Sequence, residues 1–234
     1  MLKQILDVLE INPKYGHRRI ALALGVNRKK TLRVMKKYSI NCKQKRKRRY
    51  FKSLKEESYA PNLIKSKIPL REDEIWVTDY TYLSIGGKYI YLSTVLDTYT
   101  RQIKSWRLGI TRDSRLVLDT ISEVMEKCAP EIIHSDHGYE YTSFSYQQYL
   151  KEHGVLASMS GKGKPWENGY QESFYSGFKL DLGETNHYWD LGEIIEAVAQ
   201  TIYYYNNQRI HTKLKTAPVK FRLDREYLFK EMGT

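Results

Sequence analysis

The chain has 234 residues, and its 39 lysine and arginine residues against 27 aspartate and glutamate residues give a formal net charge of +12 at pH 7. With 41% hydrophobic and 13% aromatic residues the chain can bury a core, which argues against wholesale disorder. No segment approaches the ~18 consecutive apolar residues of a membrane span, and no signal-peptide pattern is present. The two cysteines, Cys42 and Cys128, are too few for a disulfide framework or a four-thiolate zinc site. We therefore expect a cytoplasmic protein without a membrane partner.

The positive charge is concentrated near the N-terminus. Residues 1–60 contain 18 of the basic and four of the acidic residues, a balance of +14, whereas the rest of the chain has a balance of −2. A basic segment of this density indicates a polyanionic partner, and nucleic acid is the usual one. A solvated basic face, or an arm that binds an acidic protein, is the alternative.

Residues 1–42 are predicted to form a small helix-turn-helix-like DNA-binding domain. A short helix over His17–Leu24 is followed by a glycine-containing turn, and Asn27 is placed to cap a second helix over Arg28–Lys37. The second helix of such motifs enters the major groove. Its candidate DNA contacts here are Arg28, Lys29 and Arg33. An ordinary basic helical hairpin is the alternative.

Residues 43–70 are predicted to be a basic linker. The run Lys43–Lys55 (KQKRKRRYFKSLK) has little apolar content. It could neutralise several phosphates, which would give salt-sensitive affinity without sequence preference.

From residue 71 the pattern predicts an α/β domain that extends to residue 222, with 223–234 as a tail. Its predicted elements are strands at Ile75–Leu83, Tyr89–Leu96 and Arg101–Gly109, a helix at Ser114–Lys127, a strand at Glu131–His134, a helix at Ser145–Glu152, a strand at Val155–Met159, and helices at Gly169–Leu182 and Leu191–Asn207. Three antiparallel strands followed by alternating helices and strands indicate a mixed sheet covered by helices.

Three carboxylates stand at structural junctions of this domain. Asp79 lies within the first strand, Asp136 just past the short apolar strand, and Glu172 in the first turn of the helix that follows the last strand. Open α/β sheets gather their sites at such strand ends. Asn168 is placed to cap that helix, with Gln171 as its reciprocal partner.

Carboxylate ligands from three elements suit Mg²⁺ or Mn²⁺, and two such ions can clamp the attacking and leaving oxygens of a phosphoryl displacement. The alternative is three unrelated acids. Spacing alone would favour that alternative, because a chain with 27 acids offers many triples.

Four segments resemble the catalytic core of bacterial insertion-sequence transposases in the DDE transposase and retroviral-integrase superfamily: WVTDYTYL, IIHSDHGYEYTS, ENGYQESFYSGFK and YNNQRIHTKLKTAP. The 35 residues between Asp136 and Glu172 match the superfamily's D-D-35-E signature. The chain is most similar to the downstream-frame (orfB-type) transposases of the large insertion-sequence family numbered three. The similarity runs from about Tyr15 to about Phe221.

The resemblance implies an RNase H-like fold, with Asp79, Asp136 and Glu172 as catalytic ligands of two Mg²⁺ or Mn²⁺ ions. It also implies cleavage and transfer of DNA strands at the element's ends, in which water and then a freed 3′-hydroxyl attack a phosphate. The implied partners are double-stranded DNA, further copies of the chain, and the upstream-frame transposase product that normally precedes this part.

The chain departs from the family pattern around the acids. His137 stands where Arg is usual, and Glu167-Asn168 where Asp-Asn is usual, while the loop GKGKPWENG lacks the common Cys. None of the departures removes a carboxylate, so they concern the DNA contacts of the loop rather than the ligand set.

Further DNA contacts are expected around the acids. Lys179 is two helical turns beyond Glu172 and matches a basic position that superfamily members use against DNA. The other candidates are Lys162, Lys164, His134, His137 and Arg209. A structural role is the alternative for each of them. Two further functions stay open for the chain: an RNase H-like nuclease without strand transfer, and a catalytically silent DNA-binding regulator of transposition.

Overall fold

The computed structural model describes residues 1–40, 60–161 and 163–232. The described residues form two compact units, one from residues 1–40 with 203–232 and the other from residues 60–161 with 163–202. The basic run Lys43–Lys55 and the candidate DNA contact Lys162 lie outside the described residues. No helix in the described ranges combines the length and apolar character that crossing a membrane requires.

The N-terminal residues form three helices. These are α1 (Leu2–Ile11), α2 (His17–Ala23) and α3 (Arg28–Lys37). Gly25 ends the second helix with φ +63°, a left-handed conformation that favours glycine. Asn27 caps the third by accepting a hydrogen bond from the Lys29 N–H at 2.8 Å. The predicted helix pair and its cap are therefore confirmed, whereas α1, which buries Ile5, was not predicted.

The C-terminal segment belongs to the same unit as these helices, which differs from the predicted boundary at residue 222. Arg19 Nε donates to the carbonyl of Ile210 at 2.9 Å, and the N–H of Ile210 donates to the Tyr15 hydroxyl at 2.9 Å. The segment ends in α9 (Pro218–Met232), a helix that was not predicted. These contacts join residues almost two hundred positions apart, so local sequence periodicity carries no sign of them.

The second unit contains a five-stranded mixed sheet. Its strands are β1 (Ile75–Ile85), β2 (Lys88–Asp97), β3 (Ile103–Gly109), β4 (Ile132–Ser135) and β5 (Leu156–Met159). Their order is β3-β2-β1-β4-β5, with β1, β2 and β3 antiparallel and with β4 parallel to both β1 and β5. The predicted mixed sheet is confirmed.

Helices follow the strands in the predicted order. They are α4 (Ser114–Met125), the short α5 (Tyr139–Thr142), α6 (Phe144–Glu152), α7 (Gly169–Leu182) and α8 (Leu191–Asn207), with a 3-10 turn at Pro165–Asn168 before α7. A buried cluster that includes Trp76, Ile121 and Tyr146 joins the sheet to α4 and α6. Burial of these apolar groups supplies the main stabilisation of the unit.

Residues 60–70 pack on the core unit, although they were predicted to belong to the linker. Ala60 and Ile64 are buried. The N–H of Leu63 donates to Ser158 Oγ at 2.9 Å, which ties the segment to the edge strand β5. The core unit therefore begins earlier than residue 71.

Candidate functional site

Asp79 and Asp136 are brought to the same level by neighbouring parallel strands. Val77 of β1 lies opposite His134 of β4, so the residues two positions further along each strand are also level with each other. Neighbouring strands are ~4.8 Å apart. Asp79 within β1 and Asp136 just past β4, 57 positions apart in the sequence, therefore lie side by side at the end of the parallel pairing of the two strands.

Glu172 reaches this end from α7, which is bonded to the backbone of the two central strands. The Tyr175 hydroxyl donates to the Asp79 carbonyl at 2.6 Å. Gln171 Nε2 donates to the carbonyls of Val77 at 2.7 Å and Thr94 at 3.2 Å. Glu172 follows Gln171 directly and is exposed, so its carboxylate is free to turn toward solvent at the sheet end.

The predicted capping pair at the start of α7 is wrong. Asn168 makes no side-chain cap hydrogen bond, and Gln171 is fully buried against the strands instead of reaching back along the helix. Gln171 also accepts a hydrogen bond from the Thr94 hydroxyl at 3.1 Å. A capping box and a helix-to-sheet bond need the same residue types, and only tertiary packing distinguishes them.

Replacing Gln171 with methionine is expected to lower the free energy of unfolding by about 1–3 kcal/mol, because the buried carbonyls of Val77 and Thr94 lose their donor. Chemical denaturation would measure the loss. The exposed Gln200, replaced in the same way, serves as the control and should change stability by less than about 0.5 kcal/mol. Equal effects of the two substitutions would contradict the assigned role of Gln171.

The acids share an electrostatic environment that disfavours their charges. Burial raises the pKa of Asp79 to about 8, and the nearby charges of Asp136 and Glu172 contribute to that rise. Burial also raises the pKa of Asp136, although the Gly138 N–H, which donates to its Oδ1 at 2.8 Å, acts in the opposite direction. The pKa of Glu172 is raised by burial as well. The site therefore carries a concentration of negative charge that a bound cation would relieve.

The metal-free protein is expected to lose stability as the pH rises from about 4 to about 8. In that range the folded chain retains a proton on Asp79 that the unfolded chain, with the ordinary pKa of 3.8, has released. An acid whose folded-state pKa is raised stabilises the fold less as the pH rises. Thermal unfolding in EDTA of the wild type and Asp79→Asn should show the variant gaining stability relative to the wild type across this range. A difference that does not vary with pH would contradict the prediction.

A fourth carboxylate, Glu140, lies beside the others and was not predicted. Its side chain is fully buried and forms a salt bridge with Arg112, in which Arg112 Nε contacts Oε1 and Nη2 lies 3.3 Å from Oε2. A Cβ at Gly138 would lie 2.5 Å from Glu140 Oε2 and 3.0 Å from Asp136 Oδ1. Gly138 therefore has no room for a side chain between the two acids. In the sequence, the only sign of the Glu140–Arg112 pair is the presence of Glu140 in the segment IIHSDHGYEYTS.

Two of the predicted DNA contacts are corrected by their burial. His134 is fully buried between two serines, with Nδ1 2.8 Å from Ser158 Oγ and Nε2 3.3 Å from Ser160 Oγ. Burial lowers the pKa of His134 to about 4, so the ring is neutral and shapes the site from within the sheet. Arg209 is 5% exposed, and its guanidinium lies over the Tyr205 ring. Neither side chain is open to DNA in this structure.

The other predicted contacts among the described residues remain accessible. Lys179 is exposed on α7, Lys164 is partly exposed, and His137 is partly exposed near Asp136. The helix-turn-helix cations Arg28, Lys29 and Arg33 are exposed on α3. No contact with DNA is present to test them, so their role in DNA binding stays a prediction.

The unusual Glu167 closes the loop that leads into α7. Its Oε2 accepts hydrogen bonds from the Gly161 N–H and from Asn62 Nδ2, each at 2.8 Å. The Gly161 hydrogen bond lowers the pKa of Glu167, so the carboxylate stays charged. This departure from the family pattern therefore fixes the loop to the segment before β1.

The donor set fits a hard divalent cation. Asp79, Asp136 and Glu172 offer carboxylate oxygens, and burial raises the pKa of Asp79 and of Asp136 even though Arg112 and His137 act on Asp136 in the opposite direction. The arrangement is not closed around an ion, since no three histidine, cysteine or acidic side chains in the described ranges are positioned to hold one.

Comparison with protein families and curated proteins shows the relationships of the chain. The integrase core domain family matches residues 69–165, and a second family with the same description matches residues 153–218. InsK of insertion sequence element IS150 from Escherichia coli strain K12 is 32% identical over 94% of this chain and 82% of its own length. The transposase for insertion sequence element IS904 from Lactococcus lactis is 33% identical over 66% of this chain and 63% of its own length.

Solved structures share the fold. The HTLV-2 integrase catalytic core domain in complex with magnesium has a TM-score of 0.52 at 14% identity, over 65% of this chain and 98% of that chain. A simian T-cell lymphotropic virus intasome in complex with the PP2A regulatory subunit B56 gamma has a TM-score of 0.59 at 14% identity, over 93% of this chain and 74% of that chain. The predicted RNase H-like fold of the core is confirmed.

Proposed function

Because the chain belongs to the insertion-sequence transposases that carry an integrase core domain, we propose that it catalyses metal-dependent cleavage and strand transfer at the DNA ends of its element. The observation that supports the proposal most is the shared electrostatic environment of Asp79, Asp136 and Glu172 at one end of the sheet. Buried acids whose charges repel one another are costly, and acids with such raised pKa values cluster at functional sites.

We propose that the three acids hold two Mg²⁺ or Mn²⁺ ions. When bound, the ions supply charge that lowers the pKa of an attacking water or hydroxyl and stabilises the phosphate during displacement. Tyr175 of α7 bonds the Asp79 backbone, and the Gly138 N–H, in the turn after β4, orients the Asp136 carboxylate. Lys179, exposed two turns beyond Glu172, is placed to meet a DNA phosphate.

Double-stranded DNA is the proposed partner, both as the element's ends and as the target, in the cytoplasm. The exposed cations of α3 support binding to the major groove, and the run Lys43–Lys55 supports binding to phosphates. We also propose that several copies assemble on DNA, and that the upstream-frame transposase product is a further partner.

A strand-transfer assay tests the proposed activity. Labelled duplexes that contain the ends of the element from which the sequence comes are incubated with the full chain, plasmid target and Mg²⁺ or Mn²⁺, and joined products are resolved by size. Joined products that require the metal are expected. Cleavage alone in the presence of target would favour the nuclease alternative, and retarded but uncut DNA would favour the regulator.

A further inference from the structure

Four tyrosines share one face of the β1–β2 hairpin. In the register of this antiparallel pair Tyr82 lies opposite Tyr91, and Ser84 lies opposite Tyr89. Residues two apart on a strand point to the same face. Tyr80, Tyr82, Tyr89 and Tyr91 therefore form one group, which we call the tyrosine row.

The outer half of the tyrosine row is open to solvent. Tyr82 and Tyr89 are 53% and 59% exposed, and their rings meet edge to face with centroids 5.3 Å apart. The inner rings, of Tyr80 and Tyr91, are half-buried with centroids 6.3 Å apart. Two adjacent rings with this exposure contribute little to the hydrophobic core, so their exposed surfaces are available to a ligand.

Positive groups accompany the rings. Lys179 Nζ lies 4.5 Å from the centroid of Tyr82, and the Arg112 guanidinium lies 4.4 Å from the centroid of Tyr80. Exposed aromatic rings with interleaved cations are the chemistry by which proteins bind single-stranded nucleic acid, since bases stack on the rings and phosphates meet the cations.

The tyrosine row begins at the candidate active site. Asp79 points to the opposite face from Tyr80, but the Arg112 guanidinium over the Tyr80 ring is paired with Glu140, which lies beside Asp136. Tyr82 lies two residues further along the strand than Tyr80. A DNA strand whose phosphate lies at the acids would thus meet Tyr82 and Tyr89 within a few nucleotides.

We propose that the tyrosine row binds unpaired bases of a DNA strand at the active site, with bases stacked on Tyr82 and Tyr89 and a phosphate against Lys179. The proposal rests on the proposed function, because it requires a DNA end at Asp79 and Asp136. Stacking tolerates every base, so the row would hold the frayed end of a duplex without reading its sequence.

The test measures base-dependent binding in the full chain carrying Asp136→Asn, where no chemistry is needed. The probes are two fluorescein-labelled duplexes of arbitrary sequence with a five-nucleotide single-stranded 3′ tail, one with normal bases in the tail and one with abasic sites. Fluorescence anisotropy at about 0.3 M salt limits the contribution of the basic segments. Tyr82→Ala with Tyr89→Ala is the test variant, Tyr82→Phe with Tyr89→Phe keeps the rings, and Tyr203→Ala removes an exposed tyrosine of the other unit.

The alanine pair is expected to weaken binding of the normal tail at least about 25-fold, since each of the two stacked bases contributes about five- to 100-fold, and to leave binding of the abasic tail unchanged. The phenylalanine pair and Tyr203→Ala should bind both tails as the parent does. The proposal is overturned if the alanine pair loses equal affinity for both tails, loses none, or changes the assembly state measured by light scattering, which would assign the row to contacts between copies. Because binding is measured apart from chemistry, the absence of strand transfer in the wild type would count against the proposed function and not against the row.

Discussion

Replacing Asp136 with asparagine is expected to reduce strand transfer by about 10³-fold or more. Bound metal supplies several kcal/mol of charge stabilisation to a phosphoryl displacement, and each ~1.4 kcal/mol is a factor of ten in rate. Asparagine matches the shape of aspartate and keeps an oxygen for the Gly138 N–H, but it removes the negative charge that attracts the cation. Strand-transfer rates would be measured in Mg²⁺, and DNA binding would be measured in parallel. Unchanged DNA binding would show that the substitution impairs the chemical step.

The same substitution should leave the metal-free fold intact or stabilise it, because burial raises the pKa of Asp136 and its charge is unfavourable in the folded chain. Asp224→Asn, which removes an exposed acid of α9, is the matched control and should transfer strands at the wild-type rate. If Asp136→Asn kept more than about a tenth of the wild-type rate, the assigned role of Asp136 would be refuted, since a metal ligand supplies more than that.

Replacing Arg112 with methionine is expected to lower the free energy of unfolding by about 3 kcal/mol. The substitution removes the cation paired with the fully buried Glu140, and breaking one side of a buried ion pair costs about 3–5 kcal/mol. The lower value applies because the Arg112 side chain is 41% exposed, so water can replace part of the stabilisation that its guanidinium gives to the Glu140 charge. Urea denaturation of the metal-free protein would measure the change.

Neutralising the partner should reverse most of this loss. In the double variant Arg112→Met with Glu140→Gln no charge is left buried without a partner, so the two substitutions should be strongly non-additive. Arg115→Met, at a position whose side chain is 89% exposed on the following helix, is the control and should change stability by less than about 0.5 kcal/mol. Additive effects of Arg112→Met and Glu140→Gln would show that the ion pair does not stabilise the fold.

Most helices and strands and the three candidate acids could be predicted from local sequence signals, whereas α1 and α9 were not predicted. Alternating apolar and polar residues and a high content of β-branched residues predict the strands, and the Asn27 cap predicts the start of α3. These signals can be recognised because they come from residues that are neighbours along the chain. The 35-residue spacing between Asp136 and Glu172, together with the resemblance, singled out three of 27 acids. The short α5, by contrast, has too few residues for a period to show.

The surroundings of the acids depend on tertiary packing. The buried pair of Glu140 and Arg112, the helix-to-sheet bonds of Gln171, and the burial of His134 and Arg209 all depend on residues distant in sequence. The residue type alone does not show whether a polar side chain caps a helix, bridges two strands or faces solvent. Its role is set by desolvation and by the partners that packing brings to it, and those exist only once the chain has folded.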